Sequence, residues 1–241
     1  MKEKLSLFKE KWPYLLILVV LAILVAGFLI GFRLDNVEVE GLTYYEEEDF
    51  VGRINPDQRD RNSVLFFLKL RYGEKINLPF IQTTEVELKD AHTVHIRVYE
   101  KDIIGCIPYM GEYVCFDKDG IMVGSITELR PEVPLVTGLK YRRIVFNEKM
   151  DTEEENIFLR ILNITQLIRK YGVKVQKICL LSGGEVNLEA GTITVQMGKH
   201  DQYDEQIAEL PELLKKAEGL SGIFYMEDYT AGTGKVRFQQ K

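Results

Sequence analysis

The chain has 241 residues, of which 46% are hydrophobic, and a formal net charge of −6. That length suits two modest domains with apolar cores. No Lys/Arg-rich run or basic stripe supports nucleic-acid binding, and the three cysteines lack the CxxC or Cys/His spacing of a structural zinc site.

The first element is the uncharged run at residues 12–32, WPYLLILVVLAILVAGFLIGF. As a helix it measures about 31 Å, at roughly 1.5 Å per residue, against a bilayer core about 30 Å thick. Trp12 and Tyr14 sit at one end, where aromatic rings favour the headgroup region. Pro13 suits a first helical turn, where its missing N–H is harmless. The run predicts a transmembrane helix at 12–32 behind a cytoplasmic tail at 1–11. Lys2, Lys4, Lys9 and Lys11 outweigh Glu3 and Glu10 before the span, and Asp35, Glu38 and Glu40 outweigh Arg33 after it. By the positive-inside rule everything from Arg33 onward is expected outside the cytoplasm. The competing reading is a cleaved signal peptide, whose apolar core is about 7–15 residues ending in an A-x-A-like site. This run is longer, and no A-x-A occurs in it. Gly27 with Gly31, and Ala22 with Ala26, have the small-xxx-small spacing that lets two helices approach in lipid; small residues are also common in membrane spans generally.

A first outside domain is expected at 33–103. VEVE (37–40) reads as a strand. TYYEEEDFVGRI reads as a helix capped by Thr43, with Glu46 completing a capping box. Its four acids point in different directions around a helix, which disfavours a catalytic cluster. NPDQRDRN is a polar loop, and SVLFFLKLRYG a strongly apolar helix ended by Pro79. TTEVELKD and HTVHIRVYEK are alternating strands joined at Asp90 and Ala91. His92 and His95 are three apart, so in a strand they face opposite sides and do not chelate one metal.

The remainder, 104–241, is expected to be a mixed β domain with two helices on an antiparallel sheet. Met110-Gly111 makes a two-residue hairpin loop that sets Cys106 opposite Cys115. That non-hydrogen-bonded position brings Cα atoms about 4.5 Å apart, leaving either a disulfide or two buried thiols. Cys179 reads as a core residue. DKDG (117–120) has its Gly at the fourth place, not the sixth of a calcium loop, and so reads as a hairpin turn. DTEEENIFLRILNITQLIRKYG is an amphipathic helix opened by acids at 151–155 and stopped by Gly172. VQKICLL, EVNLE and TITVQMG form an antiparallel meander. QYDEQIAELPELLKKAEG carries an apolar stripe of Ile207, Leu210, Leu213 and Leu214, with a kink expected at Pro211. GIFYMEDY and GKVRFQQ flank an AGTG turn, which lacks the residues of a phosphate loop. In the last strand Val236 and Phe238 alternate with Lys235, Arg237 and Gln239, the pattern of a half-buried edge. No Ser-His-Asp or Cys-His arrangement suggests itself, and no cofactor is expected.

The order of these parts resembles the FtsQ/DivIB family of bacterial cell-division proteins, closer to the DivIB type. VEVEG directly after the anchor, Val98, Glu100 and Lys101 closing the hairpin as V-x-E-[RK], VCFDKDGIMV, VPLVTGL, and VQMGKHDQYDEQIAELPELLKK match the family's motifs in sequence order. Ala91-His92, where many relatives carry a proline, and Gln202-Tyr203, near where a lysine often opens the late helix, depart from the pattern. The resemblance implies a POTRA domain (β-α-α-β-β) followed by a β domain. It implies a non-enzymatic, single-pass divisome component in the cytoplasmic membrane at the division septum. Its partners would be of the FtsL and FtsB/DivIC type, with septal peptidoglycan synthases beyond them. A partner strand would join the edge of the last strand, near Tyr225, Met226, Tyr229, Val236 and Phe238; those residues are inferred here, and only the strand's location comes from the family. The rival classes are a POTRA-bearing chaperone or secretion module, which would call for repeated POTRA units or a β-barrel, and a tethered cell-wall hydrolase, which would call for a carboxylate pair or metal site.

Overall fold

A computed structural model describes residues 2–54, 61–73, 76–230 and 234–241; most of the polar loop read at 55–62 and of the AGTG turn lies outside the described residues. The protein is mixed α+β, with one N-terminal apolar helix and two sheets of mixed strands. It divides into two units, residues 1–101 and 102–241.

In the first unit, α1 (Lys2–Gly31) absorbs the expected tail into one continuous helix. Leu, Lys and Glu are good helix formers, so no break falls between tail and span, and Pro13 lies inside the helix and not in its first turn. The window Tyr14–Gly31 has a mean hydropathy of 3.0 and none of it is buried; this helix is long and apolar enough to cross a membrane. Next come β1 (Asn36–Glu40), α2 (Glu47–Ile54), α3 (Ser63–Tyr72), β2 (Ile81–Leu88) and β3 (Thr93–Glu100). The sheet order is β1-β3-β2, parallel between β1 and β3 and antiparallel between β2 and β3. Phe50, Phe66, Val94 and Ile96, all fully buried, centre the core.

The capping box expected at Thr43 does not form, and α2 starts four residues later. The Glu100 carboxylate accepts from the Thr43 and Tyr44 N–H groups at 2.7 and 2.8 Å, holding that stretch in a bend. Asn62 caps α3, its Oδ1 accepting from the Val64 and Leu65 N–H groups.

The second unit holds β4 (Ile103–Tyr109), β5 (Glu112–Asp117), β6 (Met122–Ile126), β7 (Leu135–Thr137), α4 (Ile157–Lys170), β8 (Lys177–Leu180), β9 (Val186–Ala190), β10 (Ile193–Gly198), α5 (Asp204–Lys216), β11 (Gly222–Tyr225) and β12 (Arg237–Gln240). They make one sheet in the order β12-β11-β10-β9-β8-β7-β4-β5-β6. The expected antiparallel sheet is in fact mixed: β4–β7, β7–β8 and β10–β11 run parallel. Two of these follow from the helices. A strand that leaves through α4 or α5 and returns beside itself completes a crossover, and crossovers join parallel strands. The β8-β9-β10 meander is antiparallel.

Ile161, Ile164 and Ile207 from α4 and α5 are fully buried in the core of this unit, each such side chain contributing about 1.5–3 kcal/mol on burial. The buried Thr165 hydroxyl donates to Ile104 O at 2.9 Å. The acids at 151–155 precede α4 and do not open it: Asp151 pairs with Arg142, Glu153 with Lys140 and Glu154 with Arg160. Gly172, at φ 66, follows the helix end. Met110 (φ 49) and Gly111 (φ 87) make the β4–β5 turn, both in the left-handed region that two-residue hairpins use.

Candidate functional site

The end of the sheet formed by β11 and β12 is assembled from small local decisions. Antiparallel pairing sets Gly222 against Gln240, Ile223 against Gln239, Phe224 against Phe238 and Tyr225 against Arg237. Gly222 is required by close approach, since a Cβ there would lie 2.4 Å from Gln239 O and 2.7 Å from the Phe238 ring. Phe238 fills that space and tilts onto Phe224, centroids 4.7 Å apart. On the opposite face the Tyr225 hydroxyl donates to Gln239 Oε1 at 2.9 Å, and the Arg237 guanidinium lies 3.9 Å from the Tyr225 ring centre.

Backbone direction follows from one bond. Lys241 N–H donates to Ser221 O at 2.9 Å, so the flanking Gly222–Gln240 pair is a non-hydrogen-bonded one. Pairs alternate along an antiparallel ladder. Arg237, Gln239 and Lys241 therefore turn their backbone groups toward β11, while Phe238 and Gln240 turn theirs outward. No strand lies beyond β12 among the described residues.

The β11–β12 connection is pinned from below. Met226 N–H donates to Gln196 O and Tyr229 N–H to Met226 O. The His200 ring donates through Nε2 to Glu227 O at 2.8 Å. Burial and the neighbouring Glu209 carboxylate push the Tyr229 phenol above its ordinary range.

The residues named from sequence divide sharply. Tyr225 and Tyr229 are half-buried at this edge. Val236 and Phe238 face the core, so they hold the strand in place and offer a partner only their backbone. Met226 is a correction: it is fully buried and cannot present its side chain. It continues the inward alternation begun at Gly222 and Phe224, a signal already present in GIFYMEDY. Sequence reasoning missed the roles of Gly222 and His200 and the packing of Arg237 and Gln239 onto Tyr225, because each depends on a neighbour distant in the chain.

Elsewhere, Cys106 and Cys115 are joined in a disulfide, fully buried, with Cα atoms 4.0 Å apart. Cys106 N–H donates to Pro134 O, away from β5, which marks the pair as non-hydrogen-bonded. Cys179 is a second correction: it is only half-buried, beside Glu189, with Sγ 3.6 Å from that carboxylate, and burial raises its thiol pKa. Ala22, Ala26, Gly27 and Gly31 lie on exposed α1, where a Cβ added at either glycine meets nothing within 4 Å. His92 and His95 are apart as expected, the first at Arg33 O and the second near Glu40. No group of three His, Cys, Asp or Glu side chains comes together to hold a metal among the described residues. A scan against protein-family models finds no match, and neither does a search of curated proteins.

Proposed function

We propose that this protein is a membrane-anchored, non-enzymatic scaffold of the bacterial divisome, of the FtsQ/DivIB type. Its first unit acts as a POTRA domain, and its second receives a partner of the FtsL or FtsB/DivIC type to support septal peptidoglycan synthesis. The observation that carries this reading is the outer edge of β12, where Phe238 and Gln240 direct backbone groups away from β11. An extended segment pairing there would gain main-chain hydrogen bonds for affinity and alternate side-chain positions for selectivity. The β-strand–two-helix–β-hairpin order of the first unit, the apolar α1 and the excess of lysine before it support the anchored, outward-facing arrangement.

A proline at Gln240 removes an outward N–H and leaves the β11 ladder intact, since edge strands tolerate proline on the open side. Gln240→Pro should abolish pull-down of the coiled-coil partner while the protein stays folded. Deleting residues 235–241 should do the same. Undiminished capture by both variants would refute the reading, and a septal ring of a fluorescent fusion tests its cellular side.

A further inference from the structure

The C-terminal end of α1 is not a free stem. Asn62 Nδ2 donates to Phe28 O at 3.2 Å, and Ser63 donates to Phe32 O through both its N–H, at 2.8 Å, and its hydroxyl, at 3.2 Å. Leu34 N–H donates to Arg61 O at 2.7 Å. The first turn of α3 is therefore fastened at the height of Phe28–Phe32, and Phe28 lies inside the apolar window Tyr14–Gly31.

The sequence of α3 sets apolar residues on every side, interrupted by Lys69 and Arg71, yet only one side meets the core. Phe66 is fully buried, and Phe67 and Leu70 pack against that core. Leu65, Leu68 and Tyr72 are 49%, 42% and 75% exposed. At about 100° per residue these three fall on one stripe, with Lys69 beside it. The helix climbs away from its attachment. Ser63 Oγ donates to Ala91 O in the β2–β3 turn, whereas Arg71 Nη1 reaches Val86 O, further into β2.

We propose that the first turns of α3 seat in the lipid interface, with Leu65 at the acyl boundary, Leu68 above it and Tyr72 in the headgroup layer. The occupant of this exposed face is lipid, because the same backbone bonds that fix α3 to α1 set Leu65 beside the end of the apolar span. Apolar side chains held at such a boundary bury in the acyl region. The second attachment gives the first unit a fixed orientation on the membrane, which a single flexible stem would not. This inference rests on α1 spanning the membrane.

The test uses the full chain in phosphatidylcholine/phosphatidylglycerol vesicles brominated at acyl carbons 6 and 7. The native protein, with Trp12 as its sole tryptophan, reports insertion of α1. Leu65→Trp, Leu68→Trp and Tyr72→Trp, each on a Trp12→Phe background, report the α3 face. Emission from Leu65→Trp should fall at least about twofold relative to plain vesicles, with Leu68→Trp quenched less and Tyr72→Trp least. Unquenched emission at both Leu65→Trp and Leu68→Trp, with Trp12 quenched, overturns the proposal while leaving the anchor standing. A blue-shifted but unquenched signal assigns the face to a protein partner and overturns it equally. Loss of quenching at Trp12 itself removes the anchor and this inference together.

Discussion

The two ends of the nine-stranded sheet are finished differently. At the β6 end, Met122 N–H donates to Glu148 O at 3.0 Å and Met122 O accepts from Asn147 N–H at 2.8 Å, so a loop covers the first residue of that edge. Asn147 reaches that position with φ 63, a conformation asparagine tolerates better than most residues. At the β12 end, the outward groups of Phe238 and Gln240 meet no further strand among the described residues. One edge of the sheet thus has a loop bonded across its first residue, Met122, and the other has no such cover at Phe238 or Gln240 among the described residues. Exposed edges invite pairing with other chains, and proteins commonly cover or charge them. Here Lys235, Arg237 and Lys241 supply charge without cover.

The Cys106–Cys115 disulfide staples β4 to β5, next to β6. Replacing both cysteines with alanine should cost about 2–4 kcal/mol of unfolding free energy, read by denaturant melts, with partner capture at β12 retained under native conditions. On the open side, Gly222→Val forces a side chain against Gln239 O and the Phe238 ring. Overpacking of this kind costs about 1–3 kcal/mol, and partner capture should fall with it, because β12 is pushed off β11. Asn147→Val places a β-branched residue at positive φ, costing about 1–2 kcal/mol. It should speed hydrogen exchange at the backbone amide of position 147 without touching β12. The smallest effect is a rate. Cys179 stands in β8, midway between the two ends, and burial raises its thiol pKa. Its alkylation should lag that of a free thiol at neutral pH and accelerate only at higher pH, with no change when a partner strand binds.

Much of this was readable beforehand where information is local. The Met110-Gly111 turn fixed the register that faces Cys106 with Cys115, and the alternation of Val236 and Phe238 marked the edge strand. Helix starts were harder. The acids at 47–49 do occupy the first turn of α2, but Glu100 holds the Thr43 and Tyr44 N–H groups ahead of it; the acids at 151–155 stay outside α4, where Asp151, Glu153 and Glu154 pair with Arg142, Lys140 and Arg160. Parallel pairing around α4 and α5 also escaped, because the sequence marks strands and helices without saying which strands become neighbours. For α3, apolar residues on every side conceal which face is left over until its attachment to α1 is known.

Single-amide hydrogen exchange across β12, before and after adding the proposed FtsB/DivIC-type partner, reads the open edge residue by residue. Alone, the Arg237 and Gln239 amides should be protected and those of Phe238 and Gln240 should exchange rapidly. On binding, Phe238 and Gln240 should slow by at least about tenfold, to match their neighbours. Partner binding that leaves those two amides unchanged would place the contact elsewhere and contradict the account.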